Sequence, residues 1–158
     1  MNDLQSPWQQ EFVQHHTQRL LSSFQHWIGR KLLDRDRRSP EEIAQALFEA
    51  PFVVVSHGTE SDPIFNYGNR KALELWELSW DEFTQMPSRQ TAEPPAREER
   101  QRLIAEAAAR GFVENISGIR ISSTGRRFSI TNVTLWNVLD AKNRYCGQAA
   151  IYSQWQFL

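Results

Sequence analysis

The sequence has one cysteine, no long hydrophobic run and almost no net charge, and each of these excludes a class of protein. Cys146 alone cannot form an internal disulfide or a metal site built from several cysteines, which predicts a reducing, cytoplasmic setting. No apolar stretch approaches the roughly 18 residues that cross a bilayer, and the start at Met1–Asp3 is polar. We therefore expect neither a membrane span nor a signal peptide.

Charge of one sign is also missing. The 18 Lys and Arg residues nearly balance the 19 Asp and Glu residues, so no global field attracts a polyanion. The one basic concentration, at 30–38, is interrupted by Asp34 and Asp36, which favours a solvated linker over a nucleic-acid site. We expect no direct nucleic-acid partner and no membrane partner.

Aromatic residues, in contrast, are plentiful. The chain has 158 residues, the size of one compact domain, and 40% of them are hydrophobic. Its 6 Trp and 9 Phe exceed what a core of this size needs. Some of them are therefore expected to line a pocket or an interface.

The N-terminal region predicts a long amphipathic helix from Trp8 to about Leu33, because apolar residues recur there at three- and four-residue steps. Its stripe either covers one face of a sheet or forms a homodimer interface. The interface candidates are Trp8, Phe12, Leu20, Phe24 and Trp27. We predict a helical extension over 1–38 and one domain over 39–158.

The rest of the chain predicts an α+β fold. Two short strands are followed by small helices, a longer helix and three long strands, which suits a five-stranded antiparallel sheet with helices on one face and the N-terminal helix on the other. The predicted strands are 52–56, 63–67, 112–122, 127–139 and 146–157. The predicted helices are 40–49, two short ones after Asn69 and Ser79, and 97–110.

Several segments together resemble a known family. The order of elements, with IFNYGNRKALELW at 64–76 and SWDEF at 79–83, looks like the opening of a PAS sensor domain. PSRQTAEP at 87–94, GIRIS at 118–122, Asn137 and GQAA at 147–150 more narrowly resemble the MEKHLA family, a PAS-like group, over roughly Ser39 to Leu158. The resemblance implies a sensory or protein-interaction domain with no established ligand. A regulator's role would then be exercised through a homodimer or a regulatory protein partner, since we expect no output domain.

A PAS-like pocket would lie between the sheet and the helix at 97–110. Arg100 continues the apolar stripe of that helix and could bind a carboxylate or phosphate, but pairing with a surface acid near the helix start is the more common role of such an arginine. The polar residues of the sheet wall could orient a ligand or bond to one another. The candidate pocket residues are Trp76, Arg100, Leu103, Ile104, Asn115, Ser117, Ile119, Asn132, Trp136 and Gln148.

Cofactor chemistry finds little support in the sequence. The pocket helix has no cysteine for covalent flavin photochemistry, and all four histidines lie upstream of it, which disfavours haem. A non-covalent flavin near Gln148 stays open. His15 and His16 are adjacent and lack a third ligand, so we expect no metal site.

Three classes of function therefore remain. The leading one is a non-enzymatic module that senses a small molecule or binds a partner. A cone-shaped enzyme of the ketosteroid-isomerase-like type would need an ionisable residue inside the cone, and the strands offer hardly any. A dimerisation scaffold with a filled core would show Trp76, Trp80 and Trp136 interdigitated without a void.

Overall fold

The computed structural model describes residues 6–158, and its helices follow the capping signals of the sequence. Ser39, Asn69 and Ser79 each cap a helix by accepting a hydrogen bond from a backbone N–H of its first turn. Short 3₁₀ turns cover Pro7–Gln9 and Ser88–Thr91. The helices are α1 Glu11–Ile28, α2 Pro40–Phe48, α3 Arg70–Trp76, α4 Trp80–Phe83 and α5 Pro94–Arg110.

An antiparallel sheet of five strands in the order β2-β1-β5-β4-β3 forms the centre of the fold. A short sixth strand, β6, follows β5 after Ser153 and pairs with the first part of β4. The strands are β1 Val53–His57, β2 Phe65–Gly68, β3 Phe112–Ile121, β4 Arg127–Leu139, β5 Tyr145–Tyr152 and β6 Gln154–Phe157. The predicted α+β fold is confirmed, but the single predicted strand over 146–157 is divided into two.

Both faces of the sheet carry a hydrophobic core, as the sequence predicts. Val54 in β1 faces α1 and α2, whereas its neighbours Val53 and Val55 face α3, α4 and α5. The face toward α1 contains Trp136, and the opposite face contains Trp76. The two tryptophans are therefore separated by the sheet and do not interdigitate.

Helix α1 packs on the sheet of its own chain. Leu20 and Phe24 are fully buried in the core with Trp136, and the Phe24 and Trp136 rings meet edge to face at 5.0 Å. The helix ends at Ile28, five residues before the predicted end, and its C-cap Gly29 has a left-handed φ of 85°. The structure therefore shows the first of the two alternatives: the apolar stripe of α1 covers one face of the sheet. Trp8 lies in the preceding 3₁₀ turn, and Phe12 is 61% exposed.

Two neighbouring strands are each interrupted by one residue in the left-handed region. Asn115 in β3 and Asn132 in β4 have φ of 61° and 54°, and the pairing of β3 with β4 is irregular on both sides of Ile116. An extra residue of this kind moves all later side chains to the opposite face. This displacement decides which residues of β3 and β4 face α5.

Candidate functional site

A cavity of about 80 Å³ lies between the sheet and the helices α3 and α5; we call it the α5 cavity. Its walls are mostly apolar side chains from α5 and from the strands β1 to β5. They include Val55, Phe65, Leu103, Ile116, Val133 and Leu135. An apolar concavity with a few polar groups is the usual form of a small-molecule site.

Four buried polar atoms in the wall of the α5 cavity have no hydrogen-bond partner among residues 6–158. They are Trp76 Nε1, His57 Nε2, Gln148 Oε1 and the Tyr152 hydroxyl. Each of these side chains is at most 6% exposed. Because buried polar groups in native proteins almost always find a partner, these four atoms are the ones that a molecule bound in the cavity would satisfy.

His57 presents an acceptor to the cavity. Its Nδ1 lies 3.0 Å from the carbonyl oxygen of Gly58, which can only accept, so Nδ1 carries the hydrogen. Burial lowers the pKa of His57, and the charge of Arg100 lowers it further. The ring is therefore neutral near pH 7, and Nε2, which has no partner among the described residues, is an acceptor in the cavity wall.

Two arginines contribute positive charge to the same wall. Arg100 of α5 and Arg120 of β3 both line the cavity, and in the described part of the chain neither forms an ion pair. Burial lowers the pKa of Arg100 to about 10 and also lowers that of Arg120, and the charge of Arg120 adds to the effect on Arg100. Both groups remain protonated at neutral pH. The pairing of Arg100 with a surface acid, one of the two alternatives that the sequence left open, is absent from the described part of the chain.

Gln148 connects the cavity to α1 through one intermediate residue. Its Nε2 donates to Ile104 O of α5 at 2.9 Å and to Asn137 Oδ1 at 3.2 Å. The backbone carbonyl of Asn137 accepts a hydrogen bond of 2.9 Å from Trp27 Nε1 in α1. A change at Gln148 thus reaches the helix on the other face through two hydrogen bonds.

Half of the predicted pocket residues line the cavity. Trp76, Arg100, Leu103, Ile104 and Gln148 are in its wall. The other five predicted residues are outside it: Asn115, Ser117, Ile119, Asn132 and Trp136. Of these, Trp136 is buried on the α1 face, and the other four are exposed.

The two bulges explain these five misplacements. A regular alternation predicts that Asn115, Ser117 and Ile119 face the pocket, but the extra residue at Asn115 turns Ile116 inward instead. In β4, the extra residue at Asn132 likewise turns Val133 inward and sends Trp136 to α1. Asn132 itself donates to Gln154 Oε1.

Among the residues of the cavity wall that are missing from the sequence prediction, three bear an unpartnered polar atom or a charge: His57, Arg120 and Tyr152. His57 shares the alternation of Val53 and Val55 in β1, and Tyr152 shares that of Gln148 in β5, so both could have been found from strand periodicity. Arg120 could not, because its orientation follows from the bulge in β3.

A second polar cluster lies on the α1 face. His16 Nε2 is 2.8 Å from Ser56 Oγ, which donates to Asn66 Oδ1. Burial, helped by the charge of Arg19, lowers the pKa of His16 to about 4. No group of three or more His, Cys, Asp or Glu residues that could hold a metal ion occurs within 6–158.

The size of the cavity tests the large cofactors considered for this fold. Pockets for drug-sized ligands measure about 300–1,000 Å³, several times the 80 Å³ found here. A tricyclic flavin or a haem therefore does not fit between these side chains. Cys146 is also on the other side of the sheet, against the core that contains α1.

The sheet order, with α3, α4 and α5 on one face and a cavity beneath α5, defines a PAS-like fold. Similar solved structures include the PAS domain of a Colwellia psychrerythraea protein, with a TM-score of 0.60 and 14% identity over 73% of this chain and 92% of that one. The blue-light photoreceptor Aureochrome1 LOV matches with a TM-score of 0.53 and 18% identity, over 79% and 88%. An RNA-binding Light-Oxygen-Voltage receptor matches with a TM-score of 0.61 and 15% identity, over 76% of this chain and 34% of that one. At these identities the likeness concerns the fold.

The sequence comparisons identify the family within this fold. The MEKHLA domain model matches residues 14–157, so the chain belongs to the MEKHLA domain family, as the sequence motifs predict. Homeobox-leucine zipper protein HOX10 of Oryza sativa, in both the indica and japonica subspecies, is 23% identical over 137 residues. This match covers 86% of the chain but only 16% of the relative. No helix within 6–158 is long and apolar enough to cross a membrane.

Proposed function

We propose that this domain is a cytoplasmic, non-enzymatic sensor that binds a small molecule in the α5 cavity and transmits its presence to α1. The observation that carries the proposal is the set of four unpartnered polar atoms in the cavity wall. Leaving a buried polar group without a partner costs about 1–3 kcal/mol. A ligand that bonds to several of these atoms would recover much of that free energy.

The composition of the wall favours binding over catalysis. No aspartate or glutamate of the described residues lines the cavity, and its one histidine donates through Nδ1 to a backbone carbonyl. General acid–base chemistry of the ketosteroid-isomerase type depends on a carboxyl group with a raised pKa. A reversible ligand is therefore the better match for this site.

The link from the cavity to α1 supports a signalling role. A ligand that donates to Gln148 Oε1 would fix the present orientation of the amide, in which Nε2 holds Asn137 and, through it, Trp27. The outer side of α1 presents Phe12, which is 61% exposed. We propose that a second copy of the chain or a regulatory protein contacts this side of α1 and responds to its stability.

A ligand screen on a variant with a filled cavity tests this function. The protein is mixed with a panel of small acids, amines and alcohols of up to about eight non-hydrogen atoms, and the melting temperature is recorded. Ala150→Leu places a larger side chain in the cavity wall, where Ala150 lies. The control Ala109→Leu makes the same change at an exposed position of α5.

We expect at least one compound to raise the melting temperature of the wild type and of Ala109→Leu but not of Ala150→Leu. Hydrogen exchange in α1 should slow on binding. Trp27→Phe, which removes the indole N–H, should keep the binding and lose the effect on α1. If no compound stabilises the wild type, or if Ala150→Leu responds equally, the proposed function is wrong.

A further inference from the structure

The two arginines of the α5 cavity are positive charges without a negative partner. Arg120 donates from Nη1 to the carbonyl oxygen of Ile119, at 2.9 Å. No hydrogen bond from the Arg100 guanidinium to another described residue is present. Glu99 is close enough to Arg120 to raise its pKa, but it is exposed and beyond ion-pair distance. Two desolvated cations beside each other repel, and an anion between them would relieve that repulsion.

The other polar atoms of the wall define the rest of the ligand. Trp76 Nε1 can only donate, and the Tyr152 hydroxyl can donate or accept. His57 Nε2 and Gln148 Oε1 are acceptors, because the hydrogens of both side chains are engaged elsewhere. The ligand therefore needs at least one O–H or N–H donor in addition to its negative charge.

The cavity also limits the size and the polarity of the ligand. A volume of 80 Å³ is that of roughly three water molecules, which allows a compact molecule of about four to six non-hydrogen atoms. Leu103, Val133 and Leu135 in the wall favour a short aliphatic body over a fully polar ion. Guanidinium groups bind planar carboxylates through two parallel hydrogen bonds.

We propose that the α5 cavity binds a short aliphatic hydroxycarboxylic acid, its carboxylate held by Arg100 and Arg120 and its hydroxyl donating to His57 Nε2 or Gln148 Oε1. This inference rests on the proposed ligand-binding function and specifies its ligand class. It explains why two cations, two acceptors and an aliphatic surface occur around a cavity of this size.

Calorimetric titration with four probes separates the parts of this inference. Lactate carries both groups, propanoate lacks the hydroxyl, lactamide lacks the charge, and inorganic phosphate lacks the aliphatic body. We expect lactate to bind, propanoate to bind about tenfold more weakly because the buried acceptors stay unpaired, and lactamide and phosphate not to bind. If lactamide or phosphate binds as well as lactate, the proposal is wrong.

Variants of the arginines locate the binding. Arg100→Gln and Arg120→Gln should each weaken lactate about tenfold or more. Arg102→Gln, an exposed change on the same helix, should leave it unchanged. If one of the two cavity variants does not fold, the other still tests the proposal. If both keep the affinity of the wild type, lactate binds elsewhere and the proposal is wrong. A neutral or cationic panel compound that binds in the cavity would overturn the hydroxy acid and leave the sensor function intact.

Discussion

Asn69 offers the sharpest test of how α2, β1 and α3 are held together. Its Oδ1 accepts from Val54 N at 3.1 Å and from Ala72 N at 3.3 Å. Its Nδ2 donates to Phe52 O at 2.8 Å and to Leu47 O at 3.3 Å. The side chain is fully buried, so one amide joins α2, β1 and the start of α3 without water.

Asn69→Ala removes all four of these hydrogen bonds; Leu47 O keeps its bond from Ala50 N, and the other three backbone groups lose this partner. At about 1 kcal/mol for each bond, the free energy of unfolding should fall by about 4 kcal/mol, a large share of the 5–15 kcal/mol typical of a domain. The matched control is Ser79→Ala, which removes an exposed cap of α4 and should cost about 1 kcal/mol. Urea unfolding of the three proteins measures the difference. A loss for Asn69→Ala no greater than that for Ser79→Ala would refute the reasoning.

Two further predictions concern the α1 face. The folded-state pKa of His16, about 4, is below its ordinary value of 6.5, so the unfolded chain binds more protons and stability should fall as pH drops from 6.5 to 4. His16→Gln should remove about 2 kcal/mol of this loss in urea unfolding at several pH values, and the matched control is the same substitution at the exposed His15. A Cβ at Gly111, where φ is 102°, would overlap the Trp27 ring, whereas a Cβ at Gly125, where φ is 87°, meets nothing within 4 Å. Gly111→Ala should therefore lower the melting temperature clearly more than Gly125→Ala, and equal losses would contradict the close packing of Trp27.

Much of the fold could be predicted because its signals are local. The caps at Ser39, Asn69 and Ser79 mark the starts of helices, and the alternation of β1 and β5 assigns Val54 and Gln148 to opposite faces. The motifs at 64–76 and 147–150 pointed to the family that the comparisons show. These features depend on a few consecutive residues.

The sheet wall of the site could not be predicted in the same way. Whether Asn115 and Asn132 continue a strand or form a bulge depends on how β3 pairs with β4, and this pairing joins residues far apart in the sequence. Because each strand contains one extra residue, Val133 faces the cavity in place of Trp136, and Arg120 lines the cavity as well. The proximity of Arg120 to Arg100 therefore depends on the tertiary structure and could not be predicted from local sequence.

The most direct test of the central claim is the ¹H–¹⁵N spectrum of the tryptophan indole groups, recorded while each compound of the panel is added. The 6 Trp residues give separate probes, assigned by single Trp→Phe changes. We predict that a bound compound shifts Trp76 in the cavity wall and Trp27 on α1, and leaves the half-buried Trp155 of β6 in place. If no compound moves the Trp76 signal, the cavity is not a ligand site. If Trp76 moves and Trp27 does not, the cavity binds without signalling to α1.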